Sequence, residues 1–489
     1  MQGACRPLQP PAGEKTGVQR VHRRGHGKTA AIVMSIASAL GAVGCAEGEG
    51  GERMGDAAVL EAPGVYRAQL EAMLGAGQPT EGANAWDEVM AALDAMKTVR
   101  AWSAETWDPN TPLSEDPMTS ADEMRFDPLV MEDRKPGIEF LRRVEEAGVW
   151  AALDEARAAP RRIAPFAWDA ANGIGNASEI QLRIARDGLW VRIAGAARMR
   201  MAHVQQDDAA IPLLVRRLIT FADVVGAHPD ALVANGSTID VMGIELMAEL
   251  VERPWSAEVL AAVNAELARM DPLPSPRVWL EAMPVVERFL AATDPKSYAE
   301  SVGDTQAFLA AVDGAVALAL KQIDAPVAER ERPGAGFMER MTATMMATKH
   351  MGDDLEARMA VIPAAERMVG TIETHLNMRA QSSAMIAGLR AAIAAERYRL
   401  AQGMYPETIG AVVPEFLAEI PQDPITGGAI GYRRIENDAH GRGYLVYSVG
   451  PDGKDDGGRA QDEDPMFGMM SLEAGYDFVI NRPRRVLTK

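Results

Sequence analysis

Apolar side chains recur with the period of an α-helix between residues 211 and 225, and this spacing constrains the fold more than any other feature. The side chains that share the face are Ile211, Leu214, Val215, Leu218, Phe221 and Val225. A stripe of this width has to be buried against other helices. Aromatic residues make up only 5% of the 489 residues, while the strong helix formers alanine and methionine are abundant. The sequence therefore predicts a mainly α-helical chain.

Further helices are expected on both sides of this stripe. One is predicted near residues 186–203, with the polar segment 205–208 as the turn that follows it. Another is expected to begin at Ser256, whose hydroxyl can cap free N–H groups while Trp255 and Leu260 meet across the helix end. Helix pairs with short turns indicate an antiparallel helical array, either irregular or built as a helical repeat. Such an array favours binding over catalysis because it presents a broad groove.

The N-terminal segment has the order of an export signal. Residues 1–28 are basic, residues 29–44 are apolar and uncharged, and a polar run follows Cys45. A basic region, an apolar region and a small-residue cleavage site are typical of exported proteins. The apolar stretch is shorter than the ~20 residues that a membrane-spanning helix needs. The sequence thus predicts export, either with cleavage or as an uncleaved signal anchor.

The end of this segment, residues 42–45 with the sequence Ala-Val-Gly-Cys, resembles the lipobox of bacterial lipoproteins. The resemblance implies cleavage before Cys45 and acylation of that cysteine. We therefore expect a lipid anchor in the membrane of a bacterial cell envelope, with the protein on the periplasmic or surface side. Position 42 departs from the pattern, because it holds alanine where leucine is usual.

Charge and residue types exclude several classes of function. A net charge of −19 repels nucleic acid, so no nucleic-acid partner is expected. No cysteine follows Cys45, which excludes a thiol nucleophile or a cysteine-ligated zinc site downstream. The chain contains no HExxH, Walker or GxSxG motif. No catalytic residue is predicted, and the protein is expected not to be an enzyme.

Four regions follow from these patterns. Residues 1–45 form the signal, residues 46–136 a stalk, a helix and a proline-rich linker, residues 137–376 a helical domain, and residues 377–489 a small α+β module. In the module a helix is expected to end at Pro406. Alternating β-favouring residues predict strands at 430–435, 444–449 and 476–480, which would form a three-stranded antiparallel sheet.

The module resembles the C-terminal domain of the major pseudopilins of type II secretion. The matching pieces, in order, are residues 399–406 (Arg-Leu-Ala-Gln-Gly-Met-Tyr-Pro), 421–424 (Pro-Gln-Asp-Pro), 431–434 (Gly-Tyr-Arg-Arg), 447–453 (Tyr-Ser-Val-Gly-Pro-Asp-Gly) and Asp477. Pseudopilins polymerise through an N-terminal hydrophobic helix, which does not precede the module here. The resemblance therefore implies that the chain contains a pseudopilin-like module and that the protein is not a fibre subunit.

In that family the loop after this strand holds a calcium ion, and the resemblance implies calcium as the cofactor here. Carboxylates and backbone or hydroxyl oxygens are the ligands that Ca²⁺ prefers. The candidate ligands are Asp452, Asp455, Asp456, Asp477, Ser448 and Val449. The sequence departs from the family pattern because Asp455 and Asp456 precede Gly457. The alternative is an acidic turn that only closes a hairpin.

The preferred interpretation is a non-enzymatic cell-envelope lipoprotein. Its helical body would bind a protein or peptide partner, and its pseudopilin-like module would serve for docking. Two alternatives stay open. One is an accessory protein of a type II secretion or pilus-like system, which would co-purify with secretion components. The other is a hydrolase of unknown specificity, which would need an acid–histidine cluster in a pocket.

Overall fold

The computed structural model describes residues 60–106, 135–163, 175–226, 232–252, 255–271, 273, 275–330, 364–436, 441–461, 472 and 474–482. Helices account for 67% of these residues, and a three-stranded antiparallel sheet lies at the C-terminal end. The predicted fold class, mainly helical with a small α+β module, is confirmed.

Twelve helices are formed by the described residues. They are α1 (Pro63–Gly75), α2 (Ala85–Thr106), α3 (Lys135–Glu146), α4 (Val149–Ala158), α5 (Gly175–Gln205), α6 (Ala210–Gly226), α7 (Leu232–Glu252), α8 (Ala257–Leu267), α9 (Arg277–Thr293), α10 (Pro295–Val302), α11 (Thr305–Gln322) and α12 (Ala364–Gln402). The strands are β1 (Gly431–Arg434), β2 (Tyr444–Ser448) and β3 (Phe478–Val479).

The apolar stripe that dominates the sequence is the buried face of α6. All of its predicted members are buried in one large core that α6 shares with its neighbours α5 and α7. Two glycines of α5 allow the close approach of α6. A Cβ atom at Gly188 would lie 2.9 Å from the ring of Phe221, and one at Gly195 would lie 2.9 Å from Leu218. The backbone of α5 is therefore pressed against the side chains of α6.

The predicted start of α8 is also confirmed. The hydroxyl of Ser256 accepts a hydrogen bond of 3.3 Å from the backbone N–H of Val259, as expected of a cap. Trp255 and Leu260 flank this cap and are both buried in the large core. The turn between α5 and α6 contains Gln206, whose φ of 56° lies in the left-handed region.

Helix α12 contacts both the helical body and the sheet. It packs against α7 and α8 of the helical body, against α11, and against β2 of the sheet. At its crossing with α7, a Cβ atom at Gly243 would lie 2.4 Å from Met385. Near the same crossing, the side-chain amide of Gln381 donates a hydrogen bond to Asp240 Oδ2. The predicted boundary between residues 376 and 377 lies within this continuous helix.

The helix ends earlier than the sequence suggests. The last helical residue is Gln402, and Gly403 adopts a φ of 78°. The N–H of Gly403 donates a hydrogen bond of 2.8 Å to the carbonyl of Arg399. A left-handed glycine of this kind is a common helix terminator. The expectation that Pro406 ends the helix is therefore wrong.

The sheet has the order β1-β2-β3, with both pairs antiparallel. All residues of the central strand β2 are buried. Strand β3 has only two residues, but Asn481 extends the pairing. Its Oδ1 atom accepts a hydrogen bond of 2.9 Å from the N–H of Val446, and its Nδ2 atom donates one of 2.7 Å to the carbonyl of Tyr444. A side-chain amide thus pairs with β2 as a strand would.

The N-terminal signal, including Cys45, lies outside the described residues. Among those that are described, no single helix has both the length and the hydropathy required to cross a membrane, and α10 with α11 meets the requirement only as a pair bent by 70°.

Candidate functional site

The acidic loop, residues 450–459, follows β2 and contains three of the six predicted calcium ligands, Asp452, Asp455 and Asp456. Gly453, Gly457 and Gly458 have φ values of 73°, 74° and 76°, which non-glycine residues rarely adopt. At Gly450 a Cβ atom would lie 2.1 Å from the carbonyl oxygen of Tyr476. The glycines of the loop are therefore needed for its backbone path and for its contact with the segment before β3.

Asp477 connects the acidic loop to β3 through hydrogen bonds. The residue is fully buried, and its carboxylate accepts hydrogen bonds from the N–H of Asp456 at 3.1 Å and of Gly458 at 2.7 Å. Its own N–H donates to the carbonyl of Arg459 at 2.8 Å. The sequence predicts Asp477 as a calcium ligand, and this role stays a prediction; within the described residues its oxygens accept hydrogen bonds from backbone N–H groups.

Two other predicted ligands are also held by local hydrogen bonds. Asp455 Oδ1 accepts from the hydroxyl of Tyr447 at 3.0 Å and from the N–H of Gly457 at 2.8 Å. Asp452 accepts from the N–H of Lys454 at 3.0 Å and from that of Gly475 at 3.2 Å. These bonds resemble the Asx turns that aspartate forms in tight loops.

Ser448 and Val449 contact a different acid, Asp423, which sequence reasoning did not single out. Asp423 is fully buried. It accepts hydrogen bonds from the hydroxyl of Ser448 at 2.9 Å and from the N–H groups of Val449 and Ile425, both at 2.8 Å. The signal in the sequence is its position between two prolines in a turn, Pro421-Gln-Asp-Pro424. Ser448 and Val449 thereby connect β2 to that turn.

Asp477 and Asp423, the two buried acids next to the acidic loop, have raised pKa values. The pKa of Asp477 lies above its usual value, chiefly because burial disfavours the charged form, and also because Asp455 and Asp456 repel it. Burial likewise raises the pKa of Asp423, with a further contribution from Asp455. Backbone N–H donors oppose both shifts. A cation bound nearby would relieve this repulsion.

The donor chemistry of the loop suits Ca²⁺, since every candidate ligand is a hard oxygen. The arrangement does not complete a metal cage. No group of three or more histidine, cysteine or carboxylate side chains within the described residues is placed to hold a metal ion. Asp452 and Asp455 turn toward separate backbone donors, and the side chain of Asp456 is exposed. Calcium binding therefore stays a prediction.

A second polar cluster, which sequence reasoning missed, joins α12 to the sheet. Glu396 is buried, and its carboxylate accepts hydrogen bonds of 2.9 Å from the hydroxyl of Tyr405 and from Arg399 Nε. The ring of Tyr405 lies 4.9 Å from that of Tyr444 in β2, measured between centroids. Burial and then the charge of Glu396 raise the pKa of Tyr405 and Tyr444. These residues fix the helix to the central strand.

The described histidine side chain of the helical body is that of His375 in α12. It lies edge-on to Trp279 at 4.8 Å between ring centroids. Trp279 belongs to an apolar core cluster that also contains Met368, Ile372 and Leu376 of α12. Burial lowers the pKa of His375 to about 4, so it is neutral at pH 7. Its contacts are those of a packed core residue.

A small hollow of about 190 Å³ opens between α1, α9 and α11. Its lining includes the ion pair of Arg288 with Asp313, which has N–O distances of 3.0 and 2.6 Å, and the ring of Tyr66. This volume is below the roughly 300–1,000 Å³ of typical ligand pockets. The hollow is therefore a weaker candidate for a functional site than the acidic loop.

The acidic loop and the turn around Asp423 both adjoin the C-terminal end of β2, where Asp423 and Asp477 are buried. Three of the pieces behind the predicted pseudopilin resemblance, residues 399–406, 421–424 and 447–453, lie in the Glu396 cluster, in this turn and at the start of the acidic loop, whereas residues 431–434 form β1. No protein-family model, no curated protein and no solved structure matches the chain.

Proposed function

We propose that the protein is a non-enzymatic scaffold of the bacterial cell envelope. In this proposal Cys45 carries a lipid anchor on the periplasmic or surface side, the helical body binds a protein or peptide, and the C-terminal module serves for docking. The observation that carries the proposal is the position of α12. One helix belongs both to the core of the helical body and to the packing of the sheet.

This shared helix supports a scaffold because it holds the module in one orientation. The side chains of residues 384–395 of α12 are almost all buried, with α7 and α8 on one side and β2 on another. Ile480, directly after β3, reaches the helix backbone so closely that a Cβ atom at Gly388 would lie 2.1 Å from it. A module packed in this way presents its acidic loop at a fixed position relative to the body.

The end of α12 is the surface at which we place the partner. Leu400 and Met404 are 43% and 56% exposed and are close in sequence to Tyr405, which contacts Glu396 of α12 and Tyr444 of β2. Single exposed apolar side chains are common on protein surfaces. This pair supports the assignment only because of its place at the junction of helix and module.

The membrane anchor is tested by labelling cells that produce the full-length chain with an alkyne-bearing fatty acid. Wild type is expected to incorporate the label and to fractionate with membranes, whereas Cys45→Ala should lose the label. Cys5→Ala is the matched control, because it removes the other cysteine and should leave labelling unchanged. Labelling that survives Cys45→Ala would rule out the lipid anchor.

The docking role is tested by placing a photo-reactive amino acid at Met404 in the native envelope. A protein adduct is expected from this position. The matched control is the same amino acid at Val278, which is 45% exposed on α9 and distant in sequence from the module. Recovery of pseudopilins from Met404 would promote the secretion-accessory alternative. Equal adducts from both positions, or none from either, would contradict docking at the end of α12.

A further inference from the structure

Four arginines that are scattered in the sequence come together on the helical body. We call Arg157, Arg162, Arg216 and Arg269 the arginine patch. Arg157 lies on α4 and Arg162 just after it, Arg216 lies on α6, and Arg269 lies in the short 3-10 turn after α8. Helix α6 packs against both α4 and α8, Arg216 and Arg269 both bind Glu266, and Arg157 interacts electrostatically with the other three arginines.

Acids neutralise only part of this patch. Glu266, which is 4% exposed, accepts a hydrogen bond of 2.9 Å from Arg216 Nε and one from Arg269. Arg162 forms an ion pair with Asp223. Within the described part of the chain, no carboxylate lies within ion-pair distance of Arg157. Among the described residues, two acids therefore form ion pairs with three of the four guanidinium groups, in a chain whose net charge is −19.

The electrostatics of the patch agree with this geometry. Burial lowers the pKa of Arg157, and the neighbouring Arg269 and Arg216 lower it further, while Glu266 opposes them. Arg162 has a lowered pKa because of burial and of Arg157. Positive charges that repel one another at a partly buried position make the binding of an anion favourable.

We propose that the arginine patch is a binding site for a phosphate-type oxyanion, with Arg157 as its central donor. Guanidinium groups present a planar fork of N–H donors that matches two oxygens of a phosphate. The side chains of Arg162, Arg216 and Arg269 are 34%, 43% and 48% exposed, so a ligand can reach them from solvent. The phosphate could belong to a small molecule or to a phospholipid headgroup.

The test is isothermal titration calorimetry of the full-length chain with inorganic phosphate and with pyrophosphate. Arg157→Gln is expected to weaken binding by about tenfold to a hundredfold, as the loss of a charge-assisted contact implies. Arg157→Lys keeps the charge but not the planar fork of donors. Its affinity should lie between those of wild type and Arg157→Gln. The control is Arg67→Gln, because Arg67 is 47% exposed and pairs only with Glu71 among the described residues.

The source of the phosphate is settled by co-sedimentation with vesicles. Phosphatidylglycerol vesicles are compared with phosphatidylcholine vesicles, and Arg157→Gln with Arg67→Gln, so that any contribution of the common N-terminus cancels. Binding to pyrophosphate supports a soluble ligand. Selective binding to phosphatidylglycerol that Arg157→Gln abolishes supports a lipid headgroup. If wild type binds neither probe, or if the two variants behave alike, the proposal is overturned.

Thermal melting separates this role from a structural one. An arginine surrounded by like charges contributes no net stability to the fold, so Arg157→Gln should leave the Tm unchanged or raise it. A Tm that falls by several degrees would mean that Arg157 supports the helix packing, and the assignment of an anion site would then be withdrawn.

Discussion

The hydroxyl of Tyr405 donates a hydrogen bond of 2.9 Å to Glu396 Oε1, and this contact ties the segment after α12 back to the helix. The ring of Tyr405 also lies so close to the backbone of Gly443 that a Cβ atom there would be 2.2 Å away. The residue therefore bridges α12 and the start of β2. Tyr405 is part of residues 399–406, one of the segments behind the predicted resemblance to pseudopilins, and its contacts give that segment a physical role in this fold.

Removing the Tyr405 hydroxyl tests this bridge. Tyr405→Phe deprives a buried carboxylate of one donor and is expected to lower the free energy of unfolding by about 1–3 kcal/mol. The measurement is chemical denaturation followed by circular dichroism. Tyr398→Phe is the matched control, because the Tyr398 hydroxyl forms no hydrogen bond with a described residue. Equal effects of the two substitutions would show that Tyr405 acts only through its ring.

Two helical glycines should respond to alanine with opposite signs. Gly243→Ala places a Cβ atom 2.4 Å from Met385 at the crossing of α7 and α12, and overpacking of this kind costs about 1–3 kcal/mol. Gly314→Ala in α11 meets no atom within 4 Å and should stabilise by about 0.5–1 kcal/mol through helix propensity. The free energies of unfolding of the two variants, measured by denaturation under the same conditions, check both predictions. A stable Gly243→Ala protein would mean that α7 and α12 are less closely packed.

Asp240 should make stability depend on pH. Its Oδ1 atom is buried, and burial raises its pKa to about 7 against the opposing hydrogen bond from Gln381. An unfolded aspartate has a pKa of about 3.9. The folded state therefore binds the proton of Asp240 more tightly than the unfolded state does. The resulting stabilisation is fully present below about pH 4 and is lost as the pH rises through 7. Since each pKa unit corresponds to about 1.4 kcal/mol, the loss is on the order of a few kcal/mol.

The variant Asp240→Asn should abolish this dependence and be more stable than wild type at pH 8. Urea denaturation from pH 4 to pH 8 provides the measurement. Asp207→Asn serves as the control, because Asp207 is exposed in the turn before α6 and should follow the wild-type curve. A wild-type profile that is flat over this range would contradict the assignment of the dependence to Asp240.

Calcium is expected to raise the Tm of the full-length chain, and a chelator to lower it, if the acidic loop binds the ion. Asp456→Asn is the informative variant. The exposed side chain of Asp456 makes no hydrogen bond with a described residue, so its loss should remove the calcium response and leave the Tm without calcium unchanged. Glu407→Gln, at an exposed residue before the sheet, is the control. A Tm insensitive to calcium would show that the predicted ion does not bind.

The sequence predicted those elements whose signals are local. The face of α6 follows from the spacing between Ile211 and Val225, and the start of α8 from the hydroxyl of Ser256. The strands were placed within one or two residues because β-favouring side chains alternate there. In each case the information lies within a few residues of the element.

The parts that the sequence did not predict depend on distant contacts. Glu396 meets Tyr444, and Asp423 meets Ser448 and Val449, only after the sheet has packed on α12. The extent of α12 toward residue 364 was missed because its N-terminal half is buried by α9 to α11, not by the module. The arginine patch likewise arises from the packing of α4, α6 and α8.

The double role of α12 has a consequence for anyone who would study the C-terminal region by itself. A polypeptide cut before residue 377 would keep about two thirds of this helix, residues 377–402, while losing α7 and α8. The fragment would expose an apolar stripe to solvent, because the remaining strands do not cover the face that α7 and α8 bury in the intact chain. This stripe consists of Met385, Leu389 and Ile393, which are buried in the intact chain. Such a fragment is expected to aggregate. A protease that cleaved α12 in the cell would disrupt the helical body and the module together.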